Sequence, residues 1–236
     1  MEHNIECEPG LEVTLQLVTM EGEDLVTKNL PSLEKSQLLS VIGGYTTSGV
    51  MSQLKDLQKS FELEVGNRLH TLAPAEIVYI LRMFTQADCA SAEFYARLDK
   101  FIGINLSSDG SLSGHGGFEP EQIFAVLKCF YDSGHARPKL FIKLQQAVLA
   151  AAPTLDINVV CALLRLYVEM EIEQASFYEG LAREVESRLG SLDEGGLLNA
   201  LVSFKQAPTQ RQLSVISDLE SILIGNLQAL KLETIA

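Results

Sequence analysis

Apolar residues along this chain recur at intervals of three and four rather than two. In the stretch from Leu155 to Tyr167 such a series runs through Ile157, Val160, Cys161, Leu164 and Tyr167. That spacing lines one face of a helix, whereas a half-buried strand would alternate. The same stretch returns along the chain, beginning at Leu33, Leu72, Phe118, Leu155 and Leu192. Counting each first residue as offset 0, offset 5 holds Leu38, Ile77, Ile123, Val160 and Leu197. Offset 9 holds Ile42, Leu81, Leu127, Leu164 and Leu201, and offset 12 is aromatic in every copy: Tyr45, Phe84, Phe130, Tyr167 and Phe204. The last three copies are 37 residues apart, while the first two steps are 39 and 46; the longer one contains the glycine- and serine-rich segment 107–117.

Each copy runs on into a second apolar segment, marked by Tyr95 and Leu98, Phe141 and Leu144, Tyr178 and Leu181, and, with a slip of one residue, Ile216 and Leu219. The unit is therefore a helix, a short turn and a second helix. Boundary signals agree. Glu34, Glu119, Asp156 and Asp193 follow an apolar residue at the start of a first helix, where a capping oxygen and a negative charge suit the exposed N–H groups. Pro74 and Pro120 fall at the first helical position, where no N–H is needed. Asp132-Ser133-Gly134-His135 and Ala207-Pro208 break the chain between helices.

A unit of about 37 residues cannot bury its apolar face alone, but stacked neighbours can. The pattern predicts an all-α chain folded as one domain over residues 1–236, a right-handed α-solenoid of five helix-turn-helix repeats. Residues 11–30 would form an N-terminal cap helix through Leu11, Leu15, Val18 and Leu25, and 107–117 a flexible inserted loop. The final apolar segment, with Ile222, Leu223, Leu227 and Leu230, would close the far end or dock another protein.

The phrases Leu-x-Pro-x-Glu-Ile-x-x-Ile-Leu-x-x-Phe (Leu72 to Phe84) and Phe-Glu-Pro-Glu-Gln-Ile-x-x-Val-Leu-x-x-Phe (Phe118 to Phe130), the latter followed by Leu140-Phe141-x-x-Leu144, resemble octotricopeptide- and heptatricopeptide-like repeats. Such repeats make up the helical region of FAST-kinase-domain and RAP-domain proteins of organellar RNA metabolism. The resemblance spans about residues 33 to 225. It implies a mitochondrial or plastid setting and either RNA binding or membership of a ribosomal, RNA-processing or respiratory assembly. The chain departs from those proteins in ending on helix, at Leu232-Glu233-Thr234-Ile235-Ala236, with no residues onto which a basic RAP module could be carried.

Charge is the second departure. With 18 Lys and Arg against 31 Asp and Glu, the formal net charge is −13. A broad phosphate-binding surface needs a basic footprint. Residues 1–71 and 155–236 each carry net −6 and residues 72–154 only −1, so the middle is nearly neutral. A content of 47% hydrophobic residues suits a soluble globular chain, cytoplasmic unless the organellar resemblance holds. The first residues resemble neither a secretory signal nor an Arg-rich transit peptide. Cys7, Cys89, Cys129 and Cys161 are too scattered for a disulfide framework or a zinc ribbon.

One column carries candidate chemistry. Offset 10 holds Gly43, Arg82, Lys128, Arg165 and Val202, so three successive basic residues could track a phosphate backbone or an acidic partner helix. Tyr79, at offset 7 beside Ser40, Ala125, Ala162 and Asn199, could stack on a base. The plain alternatives are a solvated helix edge for the cations and close packing for the small residues. His3, His70, His115 and His135, the pair Cys129 and His135, and the turn glutamates Glu169, Glu171 and Glu173 form no metal or catalytic pattern, and Asn105-Leu106-Ser107 matches a glycosylation acceptor but reads as a chance match without a signal peptide. No phosphate loop or nucleophile elbow is present. The expectation is a scaffold or adaptor subunit, with no enzyme activity, cofactor or metal, that binds proteins within a larger complex. Direct single-stranded RNA binding through Arg82, Lys128 and Arg165 is the alternative.

Overall fold

The structure, a computed structural model, describes residues 22–105, 111–112, 116–208 and 214–233, with backbone alone for residues 105, 111, 112, 116 and 227–233. Eleven α-helices are present among them: α1 (Glu23–Asn29), α2 (Lys35–Thr47), α3 (Lys55–Arg68), α4 (Pro74–Gln86), α5 (Ala92–Asn105), α6 (Pro120–Asp132), α7 (Pro138–Ala151), α8 (Ile157–Glu169), α9 (Ala175–Ser187), α10 (Glu194–Gln206) and α11 (Ser214–Glu233). The first helices of the five repeats are α2, α4, α6, α8 and α10, and each is followed by its second helix. Every residue at offsets 5, 9 and 12 is buried. Each first helix thus presents one apolar face, closed by a large ring near its C-terminus.

Two details differ from expectation. Of the cap helix expected over residues 11–30, the described part is α1, continued by a 3-10 turn over Leu30–Ser32. It buries Val26 and Leu30 while Leu25 is exposed; Leu11, Leu15 and Val18 lie outside the described residues. In α11 the buried pair is Val215 and Leu219, spaced by four, and Ile216 is only half-buried. Within the inserted segment, Ser111–Leu112 and Gly116–Gly117 pair as two-residue strands; the rest of it lies outside the described residues.

The turn after each first helix shows why the repeats hold together. At offset 16 stand Gly49, Asp88, Gly134 and Glu171, with φ of 72°, 46°, 71° and 54°, and no other described residue has a positive φ. This is the left-handed cap that ends a helix. Cys89 N donates to Phe84 O (3.3 Å) and Ile172 N to Tyr167 O (3.2 Å), so the carbonyl of the offset-12 aromatic closes the motif. In the fifth repeat offset 16 is Pro208, whose ring forbids positive φ. There α10 ends instead on an extended Ala207 (φ −61°, ψ 137°), as a residue preceding proline prefers.

The second helices are tied in by side chains that reach backbone groups. Arg188, near the end of α9, donates to Leu155 O and Ala152 O, both at 2.7 Å, and pairs with Glu184 at 2.7 Å. Arg68, at the end of α3, donates to Leu33 O (2.6 Å), Pro31 O (2.9 Å) and Leu30 O (3.1 Å) and pairs with Glu64. Both thus fasten the end of a hairpin to the offset-0 residue at its start. Carboxylates serve the opposite termini. Glu23 accepts from Leu57 N (3.2 Å) in the first turn of α3, buried Glu62 from Ser91 N (2.8 Å) ahead of α5, and Glu186 from the Ser214 hydroxyl at the start of α11. The first two fill backbone N–H groups that a helix N-terminus leaves open.

The chain divides into two compact units, one built from α1–α5 and the other from α6–α11. In the first, α1 packs on α3, α2 on α4 and α3 on α5. In the second, α7 packs on α9, α8 on α10 and α9 on α11, while α8 and α10 also meet their own second helices. First helices thus contact first helices and second helices contact second helices. No described helix is long and apolar enough to cross a membrane.

Candidate functional site

The stacking of first helices fixes the surroundings of the offset-10 and offset-7 columns. In the first unit any Cβ on Gly43 (offset 10, α2) would collide with the Tyr79 hydroxyl (offset 7, α4). Tyr79 therefore lies across the bare backbone of the preceding first helix. In the second unit Arg165 Nη1 (offset 10, α8) donates to Asn199 Oδ1 (offset 7, α10) at 3.1 Å. The contact rule is the same in both: offset 10 of one repeat meets offset 7 of the next. In the first unit the large offset-7 residue, Tyr79, is met by glycine, and in the second the smaller Asn199 is met by the long Arg165 side chain.

The three cations differ in their surroundings. Arg82 and Lys128 are exposed on α4 and α6, and Lys128 has an interaction partner. Arg165 is held by Glu169 (Nε–Oε1 2.7 Å) as well as by Asn199. Glu169 also receives a hydrogen bond from the Tyr131 hydroxyl. That bond, with the Arg165 pair, keeps its carboxyl below the usual carboxylate range against a smaller opposing effect of burial. The Glu169 hydrogen bond and charge in turn raise the Arg165 guanidinium further above its ordinary value. Tyr131, Glu169 with Arg165, and Asn199 belong to α6, α8 and α10. This chain of polar contacts crosses three successive first helices.

Tyr79 is about one-third exposed, at 37%, so one part of its ring is available while the hydroxyl end is set against α2. At the proposed docking end, Ile222 and Leu223 are half-buried and Ile224 is exposed, while the side chains of Leu227 and Leu230 lie outside the described residues. Cys89, Cys129 and Cys161 are buried thiols that take part in no disulfide. Burial, followed by the charges of Glu62 and Asp88, pushes the Cys89 thiol up to about 12. Burial and Asp193 push Cys161 to about 12, against a weaker lowering by Arg188. Both are poor nucleophiles where they stand. Among the described residues, no three His, Cys, Asp or Glu side chains gather as a metal site.

No protein-family model and no curated protein matches the chain. The described residues form eleven α-helices, and no family is identified.

A feature of this surface escaped the sequence reading. Offset 6 holds Leu39, Val78, Phe124, Cys161 and Leu198, apolar in every repeat. The first four are buried or half-buried, but Leu198 is 54% exposed, and Val202 at offset 10 of the same helix is 43% exposed. The signal was present in the sequence as an apolar column lying beside the offset-5 and offset-9 core. Its meaning depends on whether a further first helix follows.

Proposed function

We propose that the protein is a helical-repeat scaffold, a non-catalytic adaptor subunit whose five hairpins form a right-handed α-solenoid. The organellar resemblance of its repeats suggests a mitochondrial ribosomal, RNA-processing or respiratory assembly as its setting. One observation carries this reading: first helices stack on first helices by a repeated contact rule, and the last of them, α10, leaves its apolar flank exposed. An exposed apolar flank on a helix whose neighbours stack in this way is suited to holding another helix.

The RNA reading would draw on Arg82, Lys128 and Arg165. The engagement of Arg165 with Glu169 and Asn199 weighs against it, as does the net charge of −13. Two measurements decide. Epitope-tagged protein from its native cells should elute in an assembly far larger than its 25.9 kDa; elution as a free monomer would refute the scaffold reading. Filter binding to single-stranded RNA over a salt series should show no steep log–log dependence. A steep slope lost in the triple variant Arg82→Ala, Lys128→Ala, Arg165→Ala would put the RNA reading in its place.

A further inference from the structure

The contact rules between successive repeats specify what the exposed flank of α10 accepts. Three rules are on the structure. Offset 10 meets offset 7 of the next repeat, as in Gly43 with Tyr79 and Arg165 with Asn199. Offset 2 meets offset 4 of the next, as in the ion pair of Lys35 with Glu76 at 3.0 Å. Offset 3 lies against offsets 1 and 4, as Asn158 Oδ1 accepts from Asp193 N at 3.2 Å and occupies the space a Cβ on Gly196 would need. On α10 these docking positions are Glu194 at offset 2, Gly195 at offset 3 and Val202 at offset 10; all three are exposed, as is Leu198 at offset 6 between them. Second helices obey a parallel rule. Side chains near offsets 31 to 33 lie against offset 25 of the next repeat, as Leu149 does with Gly180 and Gly66 with Arg97. In the fifth repeat the corresponding residue is Ile224, at offset 32, and it too is exposed. The trailing side of this hairpin therefore exposes Leu198 and Val202 on α10 and Ile224 on α11.

Resting on the scaffold reading, we propose that this side docks a helical hairpin of a different protein. Its leading helix carries a Lys or Arg opposite Glu194 and, three residues later, a small side chain opposite Val202. The basic residue follows from the Lys35–Glu76 pair with the signs exchanged. No first helix of this chain could supply it, because offset 4 is Gln37, Glu76, Gln122, Val159 and Gly196. A second copy is thereby disfavoured. Its exposed α2 flank would bring Gln37 and Ser40, and a tail-to-tail pair would set two segments of net −6 against each other.

The probe is a pair of stapled helical peptides with the same Leu/Ala flank, one carrying Lys and the other Glu at the position facing Glu194. Their binding to the full chain is read by fluorescence anisotropy. The Lys peptide should bind about tenfold more tightly at low salt, the scale of one or two well-placed charge pairs. The preference should invert in Glu194→Lys, and binding should vanish in the double variant Leu198→Asp, Val202→Asp. Those positions are exposed on a helix surface, so the circular dichroism and urea midpoint of each variant should match the wild type and show that the fold is kept. Equal binding of the two peptides, binding by neither, or binding that survives the double variant would overturn the proposal. So would a self-associated chain that the double variant converts to monomer, since that would assign the flank to a second copy. If the peptides fail while the tagged protein still elutes in a large assembly, this surface is wrong and the scaffold reading stands.

Discussion

The Arg188 clamp is the most quantitative feature of the fold, and replacing it with methionine isolates the guanidinium. Methionine keeps much of the aliphatic stem and its packing while removing every donor. Two hydrogen bonds of 2.7 Å, to Leu155 O and Ala152 O, are lost, and Glu184 loses its partner. A hydrogen bond from a charged donor contributes about 1.5–3 kcal/mol. The Arg188 side chain is 26% exposed, so water replaces part of that, and the ion pair itself adds only about 0.5 kcal/mol. The expected loss for Arg188→Met is therefore about 2–4 kcal/mol, measured from urea unfolding followed by far-UV circular dichroism. In a domain of this size it corresponds to a fall of roughly 5–15 °C in Tm. Arg188→Lys should recover less than half, because an ammonium cannot span two carbonyls with the fork geometry of a guanidinium. Arg68→Met should behave alike, since its guanidinium reaches three carbonyls. The two losses should add, as the residues share no partner. A change below about 0.5 kcal/mol in Arg188→Met would refute the clamp as a source of stability.

Three further outcomes follow from other positions. Glu171→Gly should raise stability by about 0.5–1 kcal/mol, because relief of left-handed strain exceeds the added freedom of the unfolded glycine; a lowered melting temperature would contradict the cap geometry. The lowered carboxyl of Glu169 contributes stability that is complete above its unfolded value of about 4.3 and is lost as pH falls through the lower folded value. Glu169→Gln should therefore weaken the protein by about half a kcal/mol at pH 7, and the gap in urea midpoint should close between pH 5 and pH 3; a gap constant over that range would remove the Tyr131–Glu169–Arg165 network as its cause. Cys89 and Cys161, buried with thiols pushed up to about 12, should react with a thiol reagent at pH 8 only as fast as the chain opens. Prompt labelling of either in native buffer would show that its surroundings are looser than described.

The hairpins were legible in the sequence because burial selects residue type at fixed offsets. Offsets 5, 9 and 12 needed no partner to be read as core, and all are buried. The breaker Ala207-Pro208 was legible for the same local reason. The left-handed turns were half legible: Gly49 and Gly134 signal them, but Glu171 carries no such preference and takes that conformation because the offset-12 carbonyl closes the turn around it. The clamps had a sequence trace that went unread. Glu64-Val65 with Arg68-Leu69 and Leu72 matches Glu184-Val185 with Arg188-Leu189 and Leu192, but only the structure shows which carbonyls the arginines reach. The offset-10 cations were visible as a column. Their neighbours were not, since Asn199 and Tyr131 lie more than thirty residues from Arg165 and Glu169 in the chain.

The proline at offset 16 also bears on how such a chain can grow. Four hairpins turn through a left-handed residue, and where the closing bonds are given they come from the hairpin's own first helix, so a copy of such a hairpin would carry its turn with it. The fifth turns by another device: Pro208 directs the chain out of α10 through an extended Ala207, and α11 still packs on α9 and α10. Tandem duplication of this chain would therefore spread one of two kinds of turn, according to which hairpin is copied.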